Sequence, residues 1–270
     1  ALTYEITING NLPSASHVVN ELVRTVNGGY PIYGRAIGIL MSDASFPRVP
    51  GDVGNATTFD FPVAYKIVKG ATGKRMVEEA DPKLLEPFIE AAQELEREGV
   101  KAITTTCGFL AMFQKELASA VGVPVFTSSL MQVPLVYSML KKDKKVGIIT
   151  IRKANLTRRH FEAIGIESIP TVVYGMDNAK EFQSRIHGQA SPSIKNATMD
   201  LDRTESEIFE VSKTMVKENP DLGAIVLECH NMGPYGSIVQ KATGLPVFDI
   251  TTLINYVYNA VIRGAFTGWL

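Results

Sequence analysis

The 270-residue chain carries two cysteines, and each closes an apolar run: GVKAITTTCGFL over 99–110 and DLGAIVLECHNM over 221–232. A thiol at a strand end transfers protons if its surroundings favour the thiolate, which ordinarily forms near pH 8.5. Each cysteine precedes a helical segment, whose unpaired N–H groups attract an anion. Two thiols on opposite faces of one carbon can share a proton transfer. One removes a proton, the other delivers one to the far face, and configuration inverts. Cys107 and Cys229 are therefore the candidate catalytic pair. One cysteine alone is as readily explained by packing; two at matched positions argue against that explanation.

The match lies in the elements that carry them. Ala102-Ile103 and Ala224-Ile225 stand five and four residues before their cysteines. After each cysteine come a short helical segment and a second strand, GVPVFTSSL or GLPVFDITTL, and from cysteine to proline is 17 residues in both copies. Strands are expected at 36–41, 102–106, 124–128, 145–150, 171–175, 224–228 and 246–250. Helix spacing runs through 81–99, with Asp81 as cap and Pro82 in the first turn, and through 204–219, where Thr204 and Glu207 form a capping box. Strands alternating with helices give an α/β fold with mostly parallel sheets. The repeat makes it two similar lobes related by pseudo-twofold duplication, with the active-site cleft between them. The expected division is 1–135 for the first lobe, joined by the C-terminal helix 251–270, and 136–250 for the second, with helix 128–140 as the bridge. Ligands of parallel α/β sheets bind beyond the carboxyl ends of the strands, where both cysteines stand.

Further candidates cluster around those ends. Thr106 adjoins Cys107, and strand alternation prevents Thr104, Thr105 and Thr106 from all facing the cleft. His230, as an imidazolium, would lower a thiol pKa or bind a carboxylate. Glu228 either orients a histidine or points into the opposite layer. Arg48, in the loop FPRVPGDVGN after the first strand, offers a fork shaped for a carboxylate, and Asn55 an amide. Segment 176–196 enlarges the second lobe and reads as a lid or an oligomer contact.

Lys plus Arg number 27 and Asp plus Glu 28, which leaves no nucleic-acid footprint. No apolar run reaches transmembrane length and no signal peptide is evident, so a membrane partner is not expected and the expected location is cytoplasmic. Two cysteines are too few for a disulfide framework. Neither a metal-ligand spacing nor a phosphate-cradling glycine loop is present, so neither metal nor cofactor is expected.

TTTCGF around Cys107, LECHNM around Cys229 and the repeat that carries them resemble the aspartate/glutamate racemase superfamily, from about Arg35 to the C-terminus. The resemblance implies a racemase independent of pyridoxal phosphate, with Cys107 and Cys229 as acid and base, a small carboxylate substrate and a homodimer. Relatives carry an Asp-Ser pair after the first strand; Ser42 and Asp43 are its nearest match, in reversed order. The residues after each cysteine hold the substrate carboxylate in relatives; here they are Gly108 and Phe109, and His230 and Asn231. The Cys-Asn-Thr and Cys-Thr signatures of amino-acid racemases are absent. Maleate-type cis–trans isomerisation and hydantoin racemisation remain as alternatives within the superfamily. Outside it stand a ligand-binding protein without catalysis and a thiol hydrolase.

Overall fold

A computed structural model describes residues 28–187 and 197–266, together with two short antiparallel strands, β1 (Glu5–Ile6) and β2 (Arg24–Thr25). The first lobe holds a four-stranded sheet in the order β4-β3-β5-β6, built from β3 (Ile37–Met41), β4 (Val63–Ile67), β5 (Ala102–Thr105) and β6 (Val125–Phe126). The second repeats it as β8-β7-β9-β10, from β7 (Lys145–Thr150), β8 (Thr171–Gly175), β9 (Leu222–Leu227) and β10 (Val247–Phe248). Every pairing in both sheets is parallel. The duplication extends to single bonds. Thr106 N–H donates to Leu40 O at 3.0 Å, and Glu228 N–H donates to Ile149 O at 2.8 Å, at the same place in each lobe.

The central strands IGILM and KVGIIT are buried almost throughout, as strands covered on both faces must be. Each has glycine where a helix approaches. Leu95 of α1 (Leu85–Arg97) lies against Gly38, and Met215 of α6 (Leu201–Glu218) against Gly147. A Cβ at Gly147 would stand 2.6 Å from Met215 Cε, so glycine leaves room for that side chain to pack on the strand.

The helix after each second strand packs on the other lobe. Val133 and Val136 of α3 (Val133–Ser138) join the core of the second lobe beside Val146 and Ile148. Ile250, Leu253 and Ile254 of α8 (Ile250–Val261) cover Ile37, Ile39 and Ala102 of the first. Gln132 Nε2 donates to Asp249 O at 2.8 Å, and Thr252 Oγ1 donates to Gln132 Oε1 at 2.9 Å, tying the two crossing helices together. Among the described residues no helix is long and apolar enough to cross a membrane.

Asp81 caps the turn Pro82–Leu84 that leads into α1, as its sequence indicates. The second expected cap is displaced. The N-cap of α6 is Asp200, whose side chain accepts from Arg203 N–H at 3.0 Å, while Thr204 lies inside the helix and bonds back to Asp200 O. Glu207 instead reaches the start of α5 (Lys180–His187) and accepts from the N–H groups of Glu181 and Phe182 at 2.9 and 3.0 Å. A cap between two helices has no sequence spacing to reveal it. Residues 188–196 of the expected lid or contact segment lie outside the described residues.

Candidate active site

Cys107 and Cys229 occupy equivalent positions, each with extended backbone one residue before a tight helical turn, Gly108–Phe113 and His230–Tyr235. These turns run on into α2 (Gln114–Ala120) and α7 (Gly236–Thr243). Both cysteines are thiols outside any disulfide, Cys107 half-buried and Cys229 buried. They line one pocket between the lobes. Its wall is completed by Ser42, Thr106, Phe46, Phe109, His230 and Asn231, and by Met76 and Val77 of the turn Lys74–Glu78. The cavity measures about 30 Å³, room for about two water molecules.

Of the candidates read from the sequence, Ser42, Thr106, Cys107, Gly108, Phe109, Cys229, His230 and Asn231 meet in this wall, whereas Asp43, Arg48 and Asn55 do not. Asp43 turns to the loop after β4 and accepts from Gly70 N–H at 2.8 Å. Arg48 stands behind the wall. It pairs with Asp52 at 2.8 Å, donates to Ser42 Oγ at 3.1 Å and lies over the Phe46 ring at 4.4 Å. It therefore positions Ser42 and Phe46. Asn55 fastens the same loop, donating to Arg48 O at 2.8 Å. Ser42 N–H donates to Thr106 Oγ1 at 2.8 Å, joining two neighbouring strand ends. The unexpected lining residues Met76, Val77 and Ile151 sit on a turn and a strand end with no chemical signature of their own.

His230 bridges the lobes. Its Nδ1–H donates to Thr105 O at 2.9 Å, and its Nε2 accepts from Ser129 N–H at 3.2 Å. A carbonyl only accepts and an amide N–H only donates, so the ring is the neutral Nδ1–H tautomer. Burial holds its pKa down at about 4 against the usual 6.5, only partly offset by the bond to Thr105. A neutral ring supplies none of the positive charge expected of an imidazolium beside Cys229.

Cys107 is shielded in the turn. Its thiol is pushed up to about 12, first by burial and then by the charge of Glu228, while the N–H groups of Phe109 and Leu110 pull the other way. Gly108 makes Glu228's approach possible. A Cβ at Gly108 would overlap both the main-chain oxygen and the carboxyl group of Glu228. Gly108→Ala is expected to force the lobes apart at the pocket floor, lowering stability by about 1–3 kcal/mol together with activity. Urea unfolding alongside an activity assay checks this; wild-type values for both would contradict it. Among the described residues no group of three or more His, Cys, Asp or Glu is placed to hold a metal ion.

A family model for Asp/Glu/hydantoin racemases matches residues 63–254. A dimethylsulfoniopropionate lyase from Durusdinium sp. clade D is 30% identical over 221 residues, spanning 79% of this chain and 71% of that protein. Dimethylsulfoniopropionate lyase 7 of Emiliania huxleyi is 28% identical over 237 residues, 84% of this chain and 67% of that one. Among solved structures, an arylmalonate decarboxylase superposes with a TM-score of 0.53 at 15% identity, covering 85% of this chain and 94% of its own. The aspartate racemase of Picrophilus torridus gives 0.53 at 13% identity, covering 84% and 94%. At these identities the structural likeness concerns the fold.

Proposed function

The chain belongs to the Asp/Glu/hydantoin racemase family, and from that premise we propose that it is a lyase acting on a β-sulfonio carboxylate of the dimethylsulfoniopropionate type. What favours elimination is the likeness to dimethylsulfoniopropionate lyases across most of the chain. The chemistry begins as a racemase's does, with removal of a proton from the carbon next to a carboxylate. A sulfonium group one carbon further changes the outcome. The electron pair of the broken C–H bond forms the C=C bond, the C–S bond breaks, and its pair stays on sulfur. Dimethyl sulfide departs neutral and needs no acid, acrylate remains, and the proton taken by the thiol passes to water.

The pocket wall suits such a substrate. It contains no Lys, Arg, Asp or Glu among the described residues, matching a zwitterion of zero net charge. Phe46 and Phe109 line the pocket, and aromatic rings attract a sulfonium; Ser42, Thr106 and Asn231 offer polar groups to a carboxylate. Burial and the charge of Glu228 favour the protonated thiol of Cys107, which supports a reading with Cys229 as the base and Cys107 as hydrogen-bond donor toward the developing charge. Substrate is larger than the present cavity, so binding requires the wall to widen. A cytoplasmic homodimer, independent of metal and cofactor, completes this reading.

A second reading, stereochemical inversion by both thiols, is favoured by the entry of the two cysteines into one pocket from opposite lobes. The test supplies dimethylsulfoniopropionate, aspartate, glutamate, 5-substituted hydantoins and maleate separately. Headspace chromatography for dimethyl sulfide and chiral analysis of the acids follow. Dimethyl sulfide from the first substrate alone is the expected result. Loss of enantiomeric purity in an amino acid or hydantoin, without sulfide release, would replace elimination by inversion.

A further inference from the structure

The pseudo-twofold is broken beside the thiols. The residue before Cys107 is Thr106, bonded to Ser42; the equivalent residue before Cys229 is Glu228, a carboxylic acid with no exposed surface. Glu228 Oε2 accepts from Thr150 Oγ1 at 2.6 Å, while Oε1 has no hydrogen-bond partner among the described residues. The carboxyl group comes from the second lobe and lies against Gly108 of the first, in space that any side chain at position 108 would fill. Its titratable neighbours are Cys107 across the lobe boundary and Cys229 and His230 on its own turn; the ring of His230 is already engaged with Thr105 and Ser129. Among the described residues no cation bears on its ionisation.

We propose that Glu228 is a positioning residue whose buried carboxyl, pressed against the Cys107–Gly108 turn, governs the ionisation of Cys107 and makes the two thiols chemically unequal. A buried carboxylate and a buried thiolate side by side repel, so the pair resists losing its second proton. Burial itself raises the Glu228 acid to about 8, with the Thr150 hydroxyl opposing. Around neutral pH both groups hold protons, and as Glu228 ionises it holds the proton on Cys107 more firmly. Cys107 is thereby kept as the acid of the pair. The inference concerns thiol acidity and stands apart from the identity of the substrate.

The test uses the 270-residue chain carrying Cys229→Ser, in which Cys107 is the only cysteine. Its alkylation rate by iodoacetamide is followed from pH 6 to pH 11, with and without Glu228→Gln. Glutamine keeps the shape and cannot ionise. The expected result is a profile moved at least one pH unit lower, with about tenfold more thiolate reactivity on its rising limb. A merely structural role would leave the midpoint in place. Thr150→Val provides a second arm should the glutamine variant not fold. Without the hydroxyl the neutral acid is favoured, so the Cys107 profile moves the same way by less. Superimposable profiles, or a move to higher pH, in a folded variant would overturn the proposal.

Discussion

Cys229→Ser is expected to lower turnover by about 10²–10⁴-fold, the range general-base catalysis contributes. A serine hydroxyl fills the position without accepting a proton at neutral pH. Cys107→Ser is expected to cost less, about tenfold at most, because a serine hydroxyl still donates a hydrogen bond and the base is left in place. The inequality is informative. Elimination needs one base and a neutral leaving group, so one cysteine dominates. Inversion needs both thiols in turn, so both variants would fall alike. Steady-state kinetics of the two variants, with whichever of the tested substrates the wild-type protein turns over, separate these patterns. Full activity in both would remove the thiols from the mechanism altogether.

Stability should depend on pH through two buried groups that work against each other. The His230 pKa is depressed from 6.5 to about 4. As pH falls through that window the unfolded chain gains a proton that the folded chain refuses, which costs about 3 kcal/mol by pH 4. The Glu228 pKa is raised from 4.5 to about 8. Between those values the folded chain holds a proton that the unfolded chain has released, so this contribution is full below about pH 4.5 and is lost as pH rises through 8. From these two groups, stability is expected to be nearly level from about pH 4.5 to 6.5, where they cancel, and to decline from 6.5 to 8. His230→Leu leaves Thr105 O and Ser129 N–H without their partner and lowers the whole curve by about 2–4 kcal/mol. It also uncovers the Glu228 effect, so that stability then rises as pH falls toward 4.5. Glu228→Gln does the converse, flattening the alkaline side and exposing an acid decline. Urea midpoints at a series of pH values measure all three curves. A wild-type maximum above pH 8 would contradict the assignment of both groups.

The duplicated fold is legible in the sequence because it is written in spacing that repeats: cysteine, helix, proline, strand. Family membership is carried by the same residues. Elements without such marks escape a sequence reading. β4 is an edge strand, half-buried, with Lys66 interrupting its apolar pattern. The seven-residue helix α4 (Arg158–Ile164) fully buries only His160, and its apolar face is limited to Phe161 and Ile164, too short a pattern to read. Several site residues can be named from their nearness to the cysteines, but their roles depend on partners far along the chain. His230 meets Thr105 and Ser129, 125 and 101 residues away, and those bonds keep the ring neutral. Arg48 has the shape of a carboxylate clamp, yet Asp52 holds it behind Ser42. Glu228 is ambiguous in sequence because strand alternation alone cannot say that Thr150 waits on one side and Gly108 leaves room on the other.

The central claim is that a thiol removes a proton from the carbon next to the carboxylate and that sulfur then leaves. Dimethylsulfoniopropionate carrying deuterium at both positions of that carbon tests it directly, with product read by NMR and mass spectrometry. Turnover slower than with the unlabelled compound, giving acrylate with one deuterium at its second carbon, is the predicted result. A product that keeps both deuterium atoms, or no sulfide release at all from a folded wild-type protein, would contradict it.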